Sequence, residues 1–215
     1  MNNKIIIGSR GSKLSLAYAN KVRDLISNIE STKNKKITIE IIKTSGDIFQ
    51  DKKISEIGGK NLFCKEIEDK LVRTEIDIAV HSLKDMDSIE TKGLVIQAYI
   101  EWNDQRESFV SKKFKKFSDL DHGKVGSSSR RRELQLKLIN KNITVKNIRG
   151  NVDTRIKKVE TGEFDGAILA LAGLKTLNLE KYVKEIFSVK DFIPTAGQGK
   201  SLFSVERMMN ILKKF

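Results

Sequence analysis

Asp77-Ile-Ala-Val-His-Ser-Leu-Lys-Asp85 runs an apolar strand straight into His81, Ser82, Lys84 and Asp85. Strands of a parallel sheet bring their carboxyl ends to the edge where ligands bind and chemistry happens. A single carboxylate beside a Lys at such an edge suits a catalytic centre for an anionic substrate. Two arginine groups follow, Ser127-Ser-Ser-Arg-Arg-Arg132 and Ile148-Arg-Gly-Asn-Val-Asp-Thr-Arg155. The guanidinium fork binds carboxylate or phosphate bidentately, so both groups suit an acidic ligand. A basic face for nucleic acid is the competing use. Against it, these arginines lie at strand-to-helix turns rather than along a helix stripe, and few aromatic residues lie nearby to stack on bases. His81 reads as a satisfied structural group with at most a supporting role.

Two glycine-containing segments precede these motifs. Gly8-Ser-Arg-Gly-Ser-Lys13 has the wrong spacing for a phosphate loop, which needs four residues between its glycines and a Lys after the second. It fits either an anion site built from helix-start N–H groups, Arg10 and Ser12, or an ordinary turn with an exposed arginine. Gly58-Gly-Lys-Asn-Leu-Phe63 is a glycine-rich lead-in to a helix, carrying Lys60 and Phe63.

The elements that must position these residues follow from apolar spacing. Residues 4–8 form a short buried strand ending in a glycine turn, and Ser12 caps a helix over 13–29. A second strand spans 37–44, a loop 45–61, a helix 62–73 and a third strand 76–82. This β-α-β-α-β order implies a parallel sheet with right-handed crossovers. A second set follows: strands at 94–100 and 107–111, a turn at 124–129 into a helix at 130–140, and a strand at 143–148. A helix at 152–160, a strand at 164–169 and a short helix at 170–177 complete it. Residues 187–199 are a return connection and 205–214 a terminal helix. The expected fold is α/β, with two lobes and a cleft between them. Residues 1–98 with 200–215 form the lobe that carries Asp85, and 99–199 the lobe that carries the arginine clusters.

Bulk composition narrows the classes. The 215 residues carry a net charge of +13, with 39% hydrophobic and 32% charged residues. No apolar run reaches the roughly 18 residues a membrane span needs, and no signal-peptide pattern is visible, so a cytoplasmic protein without membrane attachment is expected. One cysteine, Cys64, precludes an intramolecular disulfide, and two histidines are too few for a conventional Cys/His zinc site, so no metal is expected. The positive charge fits a lysine-rich solvated surface or a polyanionic partner, nucleic acid or a substrate carrying many carboxylates, and composition does not separate these.

These segments together resemble the porphobilinogen deaminase (hydroxymethylbilane synthase) family. The similar segments are Gly8-Ser-Arg-Gly-Ser-Lys-Leu-Ser-Leu-Ala17, Gly58-Gly-Lys-Asn-Leu-Phe63, Val80-His-Ser-Leu-Lys-Asp85 and Val125-Gly-Ser-Ser-Ser-Arg-Arg-Arg132. Ile148–Arg155, Ile168-Leu-Ala-Leu-Ala-Gly-Leu-Lys175 and Ile193-Pro-Thr-Ala-Gly-Gln-Gly199 follow in the family order. The resemblance implies a transferase of tetrapyrrole and haem biosynthesis that joins four porphobilinogen units into a linear tetrapyrrole, releasing ammonia at each step. It implies lobes of type II periplasmic-binding-protein topology, with Asp85 as the catalytic carboxylate in the cleft. Arg10, Ser12, Lys60, Lys84, Ser129, Arg131, Arg132, Arg149 and Arg155 would hold acetate and propionate groups, and Phe63 and Gln198 would line the cleft. Porphobilinogen is then the partner, nucleic acid is not, and a monomer is expected.

The departures from the family pattern concern the primer. The family carries a dipyrromethane cofactor on a cysteine of a third domain, and this chain stops at Phe215, about where that domain would begin. Cys64 is the thiol left for a covalent attachment; otherwise the primer is held without a covalent bond, the third domain is supplied in trans, or activity is lost. Asp87 replaces a usual proline and Thr176 a frequent arginine. The alternative function is an inactive binding module for carboxylate-rich pyrroles, for which Asp85 and Lys84 have no evident use.

Overall fold

A computed structural model describes residues 3–48 and 59–206, with only the backbone of Gly59, Lys60 and Glu101. The described chain falls into two units, residues 3–48, 59–102 and 200–206, and residues 103–199.

The first unit contains strands β1 (Lys4–Ser9), β2 (Lys36–Ile41), β3 (Ile78–Ser82), β4 (Leu94–Trp102) and, from the far end of the chain, β10 (Lys200–Glu206), in the order β2-β1-β3-β10-β4. β1 pairs parallel with β2 and β3, as the β-α-β-α-β reading requires, while β10 runs antiparallel between β3 and β4. Helix α1 (Lys13–Ser27) starts where the Ser12 hydroxyl accepts the Ser15 N–H at 3.1 Å. Such a cap satisfies an otherwise orphaned donor. One face of α1, with Tyr18, Ala19, Val22 and Ile26, packs on Ile5, Ile7, Ile78, Val80 and Phe203. Full burial of each aliphatic side chain there contributes about 1.5–3 kcal/mol. The opposite sheet face is covered by α3 (Lys65–Val72), whose Ile67 and Leu71 meet Ile42, Ile76 and Ala79. A single helical turn, α2 (Ser45–Ile48), follows β2.

The second unit repeats the plan with β5 (Glu107–Val110), β6 (Gly123–Gly126), β7 (Ile143–Lys146), β8 (Gly166–Ala170) and β9 (Val183–Ile186), ordered β7-β6-β8-β5-β9. β6 is parallel to β7 and β8, and β5 antiparallel to β8 and β9. Helix α4 (Arg130–Ile139) buries Leu136 among Phe109, Phe117 and Phe192, and α5 (Val152–Glu160) buries Ile156 and Val159 against Ala167 and Leu169. A short α6 (Leu171–Thr176) follows β8. No helix among the described residues is long and apolar enough to cross a membrane.

The sequence expectations depart from the structure in four places. Gly8 is not a turn residue but lies inside β1, and glycine is needed there because a Cβ would sit 2.3 Å from Ile76 Cδ1. β9 was not expected. Residues 200–206 form a strand, so the helix expected at 205–214 begins inside β10, and the rest of that expectation lies outside the described residues. The loop expected at 45–61 contains α2 and a 3-10 turn at Gly59–Phe63, and the segment between them lies outside the described residues.

The close contact at Gly8 yields a stability prediction. Gly8→Val forces β1 away from Ile76 and Ile42, and overpacking of this kind costs about 1–3 kcal/mol. The urea midpoint should fall accordingly; an unchanged midpoint would contradict the packing.

Candidate active site

The parallel pairing of β1, β2 and β3 places their carboxyl ends side by side. The residues just beyond them are Arg10 after β1, Thr44–Asp47 after β2, and the 3-10 turn Leu83–Asp85 after β3. There the first unit has a small open hollow lined by Arg10, Ser15, Tyr18, Phe63, Cys64 and, from β3 and its turn, Val80, His81, Ser82 and Asp85.

Arg10 is fixed on two sides. Its Nε donates to Asp47 Oδ2 at 3.2 Å and its Nη2 to Asp47 Oδ1. Asp47 is held in turn by the Thr44 hydroxyl at 2.8 Å and the Thr44 N–H at 3.3 Å. Burial alone would raise the Asp47 pKa, but the Arg10 guanidinium together with the Thr44 hydrogen bonds more than offsets this and holds it below the usual range. The flat face of Arg10 lies over the Phe63 ring, with Cζ 4.1 Å from the centroid. Phe63 reaches this position because position 46 is glycine: a Cβ there would stand 2.1 Å from the ring's Cε1. One helical turn thus supplies both the glycine that admits Phe63 and the carboxylate that grips Arg10.

Asp85 is half-buried, and Lys84 stands beside it in the same turn. Cys64 is 1% exposed and its thiol donates to the Asp85 carbonyl at 3.4 Å. Burial, then the nearby Asp85 and Glu68 charges, push the Cys64 pKa well up, so the sulfur stays a thiol. His81 departs from the satisfied structural histidine expected from sequence: it is 5% exposed and its buried Nε2 has no hydrogen-bond partner among the described residues. Burial depresses its pKa to about 4, which keeps the ring neutral at physiological pH.

The other unit has the same strand arrangement. Beyond the carboxyl ends of β6 and β7 lie Ser127–Ser129 and Arg149, and the antiparallel β5 starts at that same end, where Glu107 pairs with Ala170 at the close of β8. Ser129 caps α4 by accepting the Arg132 N–H at 3.4 Å. Glu107 is fully buried and binds both neighbouring arginines. Arg132 gives Nε to Oε1 at 3.0 Å, Nη2 to Oε2 at 2.7 Å and Nη1 to the Ile168 carbonyl at 2.9 Å. Arg131 bonds Glu107 and the Ile193 carbonyl and is the more exposed of the two. Burial would raise the Glu107 pKa, and the two guanidiniums more than reverse that. Arg155 Nε donates to the Gly150 carbonyl at 2.9 Å, tying the start of α5 to the Arg149 turn. Gln198 is 3% exposed, with its amide on the Gln105 carbonyl at 2.8 Å.

The hollow thus collects Arg10, Phe63, Cys64 and Asp85 from the sequence-derived candidates. Ser12 is engaged in capping, and Ser15 takes the place at the hollow wall. Arg131, Arg132, Ser129, Arg149, Arg155 and Gln198 belong to the other unit, and the Lys60 side chain lies outside the described residues. Three residues that matter were not picked out from sequence: Gly46, Asp47 and Glu107. A carboxylate beyond the carboxyl end of a parallel strand was the available signal for Asp47, the same signal that marks Asp85.

Two measurements test these placements. Below pH 6.5 an unfolded His81 takes up a proton that the folded state refuses until about pH 4, so stability falls as pH drops through that window, by about 3 kcal/mol in all. His81→Gln should flatten this part of the urea-stability profile; identical slopes would contradict the buried, neutral ring. Glu107→Gln leaves the buried Arg132 without its counter-ion, so stability at pH 7 should drop by about 3–5 kcal/mol. A loss under about 1 kcal/mol would show that Glu107 is not what compensates the arginine.

Comparison with known proteins follows the same outline. A family model described as porphobilinogen deaminase, dipyromethane cofactor binding domain, matches residues 5–208. The porphobilinogen deaminase of Campylobacter hominis is 44% identical over 202 residues, covering 92% of this chain and 64% of that protein. That of Helicobacter acinonychis is 46% identical over 202 residues, covering 91% and 64%. The chain therefore spans about 64% of the length of these curated relatives. Among solved structures, the probable amino-acid ABC transporter extracellular-binding protein of Bacillus subtilis superposes with a TM-score of 0.54 at 13% identity, over 97% of this chain and 86% of that one. The BenM effector binding domain with its effector benzoate gives 0.55 at 13% identity, over 96% and 84%. At such identity these structures bear on fold alone, that of type II periplasmic binding proteins.

Proposed function

The chain belongs to the porphobilinogen deaminase family, and from that premise we propose that it polymerises four porphobilinogen units into hydroxymethylbilane with release of ammonia. The observation that carries the proposal is Asp85 at the end of β3, sharing one hollow with Arg10 and Phe63. Each porphobilinogen brings two carboxylates, a pyrrole N–H and an aminomethyl group. When the aminomethyl C–N bond breaks, ammonia leaves with the electron pair and the ring becomes a cationic azafulvene. The Asp85 carboxylate faces that cation and the pyrrole N–H, lowering the energy of the charge as it forms. When the next α-carbon closes the C–C bond, the same carboxylate takes up the displaced proton. Arg10 offers its remaining donors to acetate or propionate. Ser12, Lys60, Lys84, Ser129, Arg131, Arg132, Arg149, Arg155 and Gln198 are proposed as further contacts to the growing acidic chain.

The dipyrromethane of the family supplies a pyrrole end on which the chain grows. The donor set fits such a group without a covalent bond: an arginine for carboxylates, an aromatic face, and a carboxylate for pyrrole N–H groups. Cys64 fits a thioether poorly, because its sulfur is buried, protonated and engaged with the Asp85 carbonyl. We assign it instead to bracing the Leu83–Asp85 turn. The working form is proposed to be a cytoplasmic monomer.

Asp85→Asn tests the assignment. It should lower ammonia release from porphobilinogen at least about a hundredfold while leaving porphobilinogen binding within a few-fold. An unchanged rate would remove Asp85 from the chemistry, and binding without turnover by the wild-type chain would make the hollow a binding module.

A further inference from the structure

Resting on the polymerisation reading, a conflict of charge arises in the Asp85 hollow. The substrate's acids call for fixed cations, yet the intermediates formed beside Asp85 are themselves cations. A bare guanidinium in the same hollow would attract the first and oppose the second. The structure gives Arg10 a counter-charge. Asp47 takes Nε and Nη2 in a bidentate pair, Thr44 fixes Asp47 with two further hydrogen bonds, and Phe63 on Gly46 fixes the plane of the guanidinium. Arg10 and Asp47 are 18% and 29% exposed at their side chains, so water screens the pair only in part. Arginine carries five N–H donors, and this pairing engages two of them, which leaves donors on Nη1 and Nη2 for a ligand.

We infer that Asp47 is a charge-compensating, positioning residue: it keeps Arg10 as an oriented hydrogen-bond donor for substrate carboxylates while cancelling the positive charge that would oppose cationic pyrroles at Asp85. Its role runs through Arg10 and requires no contact with substrate.

The test is an affinity comparison that does not depend on turnover or on any bound primer. Two probes are titrated into the full chain by calorimetry or NMR: porphobilinogen, whose net charge is negative, and 2-(aminomethyl)pyrrole, a cation without carboxylates. Asp47→Asn keeps the shape and an acceptor oxygen but removes the charge. It should weaken 2-(aminomethyl)pyrrole about tenfold and leave porphobilinogen as tight or tighter. Asp47→Glu, which restores the charge, should bring the amine back to within about threefold of wild type. Arg10→Gln, which leaves the Asp47 charge alone, should act in the opposite sense, tightening the amine and weakening porphobilinogen; this variant decides the matter if Asp47→Asn does not fold. Amine affinity that moves in neither variant, or porphobilinogen weakened as much as the amine in Asp47→Asn, overturns the inference and leaves Asp47 a purely geometric support. A wild-type chain that binds no porphobilinogen overturns the functional reading, and this inference falls with it.

Discussion

Charge compensation is the constraint on which the rest of this protein depends. A net charge of +13 suits an acidic ligand, but a guanidinium buried without a partner would destabilise the fold that presents it. The chain meets this with carboxylates at or just beyond the ends of its strands. Asp47 grips Arg10 in the first unit, and Glu107 grips Arg131 and Arg132 in the second. Each pairing fixes the arginine's plane and keeps its charge from standing alone. Arg10, Arg131 and Arg132 are therefore oriented donors first and net charge second.

Strand direction explains why such pairs meet at all. In the first unit three parallel strands end together, so Arg10, Asp47 and Asp85 gather although they are far apart in sequence. In the second, β5 runs antiparallel and contributes its beginning rather than its end, which brings Glu107 to the arginines that follow β6. The same contacts dictate small residues at fixed points. Gly8 admits Ile76 beneath β1, and Gly46 admits the Phe63 ring beneath Arg10.

Much of this was legible in the sequence. The apolar spacing of α1, the run of β3 and the Ser12 cap all have local causes, and the structure places them accordingly. β10 was not legible because Ser201 and Ser204, buried at 1% and 2%, interrupt the apolar pattern expected of a central strand. β9 is short, with alternate residues exposed, and offers little signal. Asp85 stood out because the strand before it is continuous and apolar; Asp47 did not, because Thr44-Ser-Gly-Asp47 reads as an ordinary polar loop until its partner is known. Glu107 is a buried acid whose meaning lies wholly in Arg131 and Arg132, which no local pattern connects to it. His81 was legible in place but not in state: a sequence shows a histidine at a strand end, and only packing reveals a ring sealed from solvent, its Nε2 without a partner among the described residues.

The central claim is that the hollow around Asp85 carries out head-to-tail condensation rather than storage of an acidic pyrrole. The most direct measurement is the ratio of ammonia released to porphobilinogen consumed by the purified full chain, with the tetrapyrrole product identified by its cyclisation to uroporphyrin. The account predicts one ammonia for each porphobilinogen and a linear tetrapyrrole as product. Porphobilinogen bound and recovered intact, with no ammonia, would contradict it.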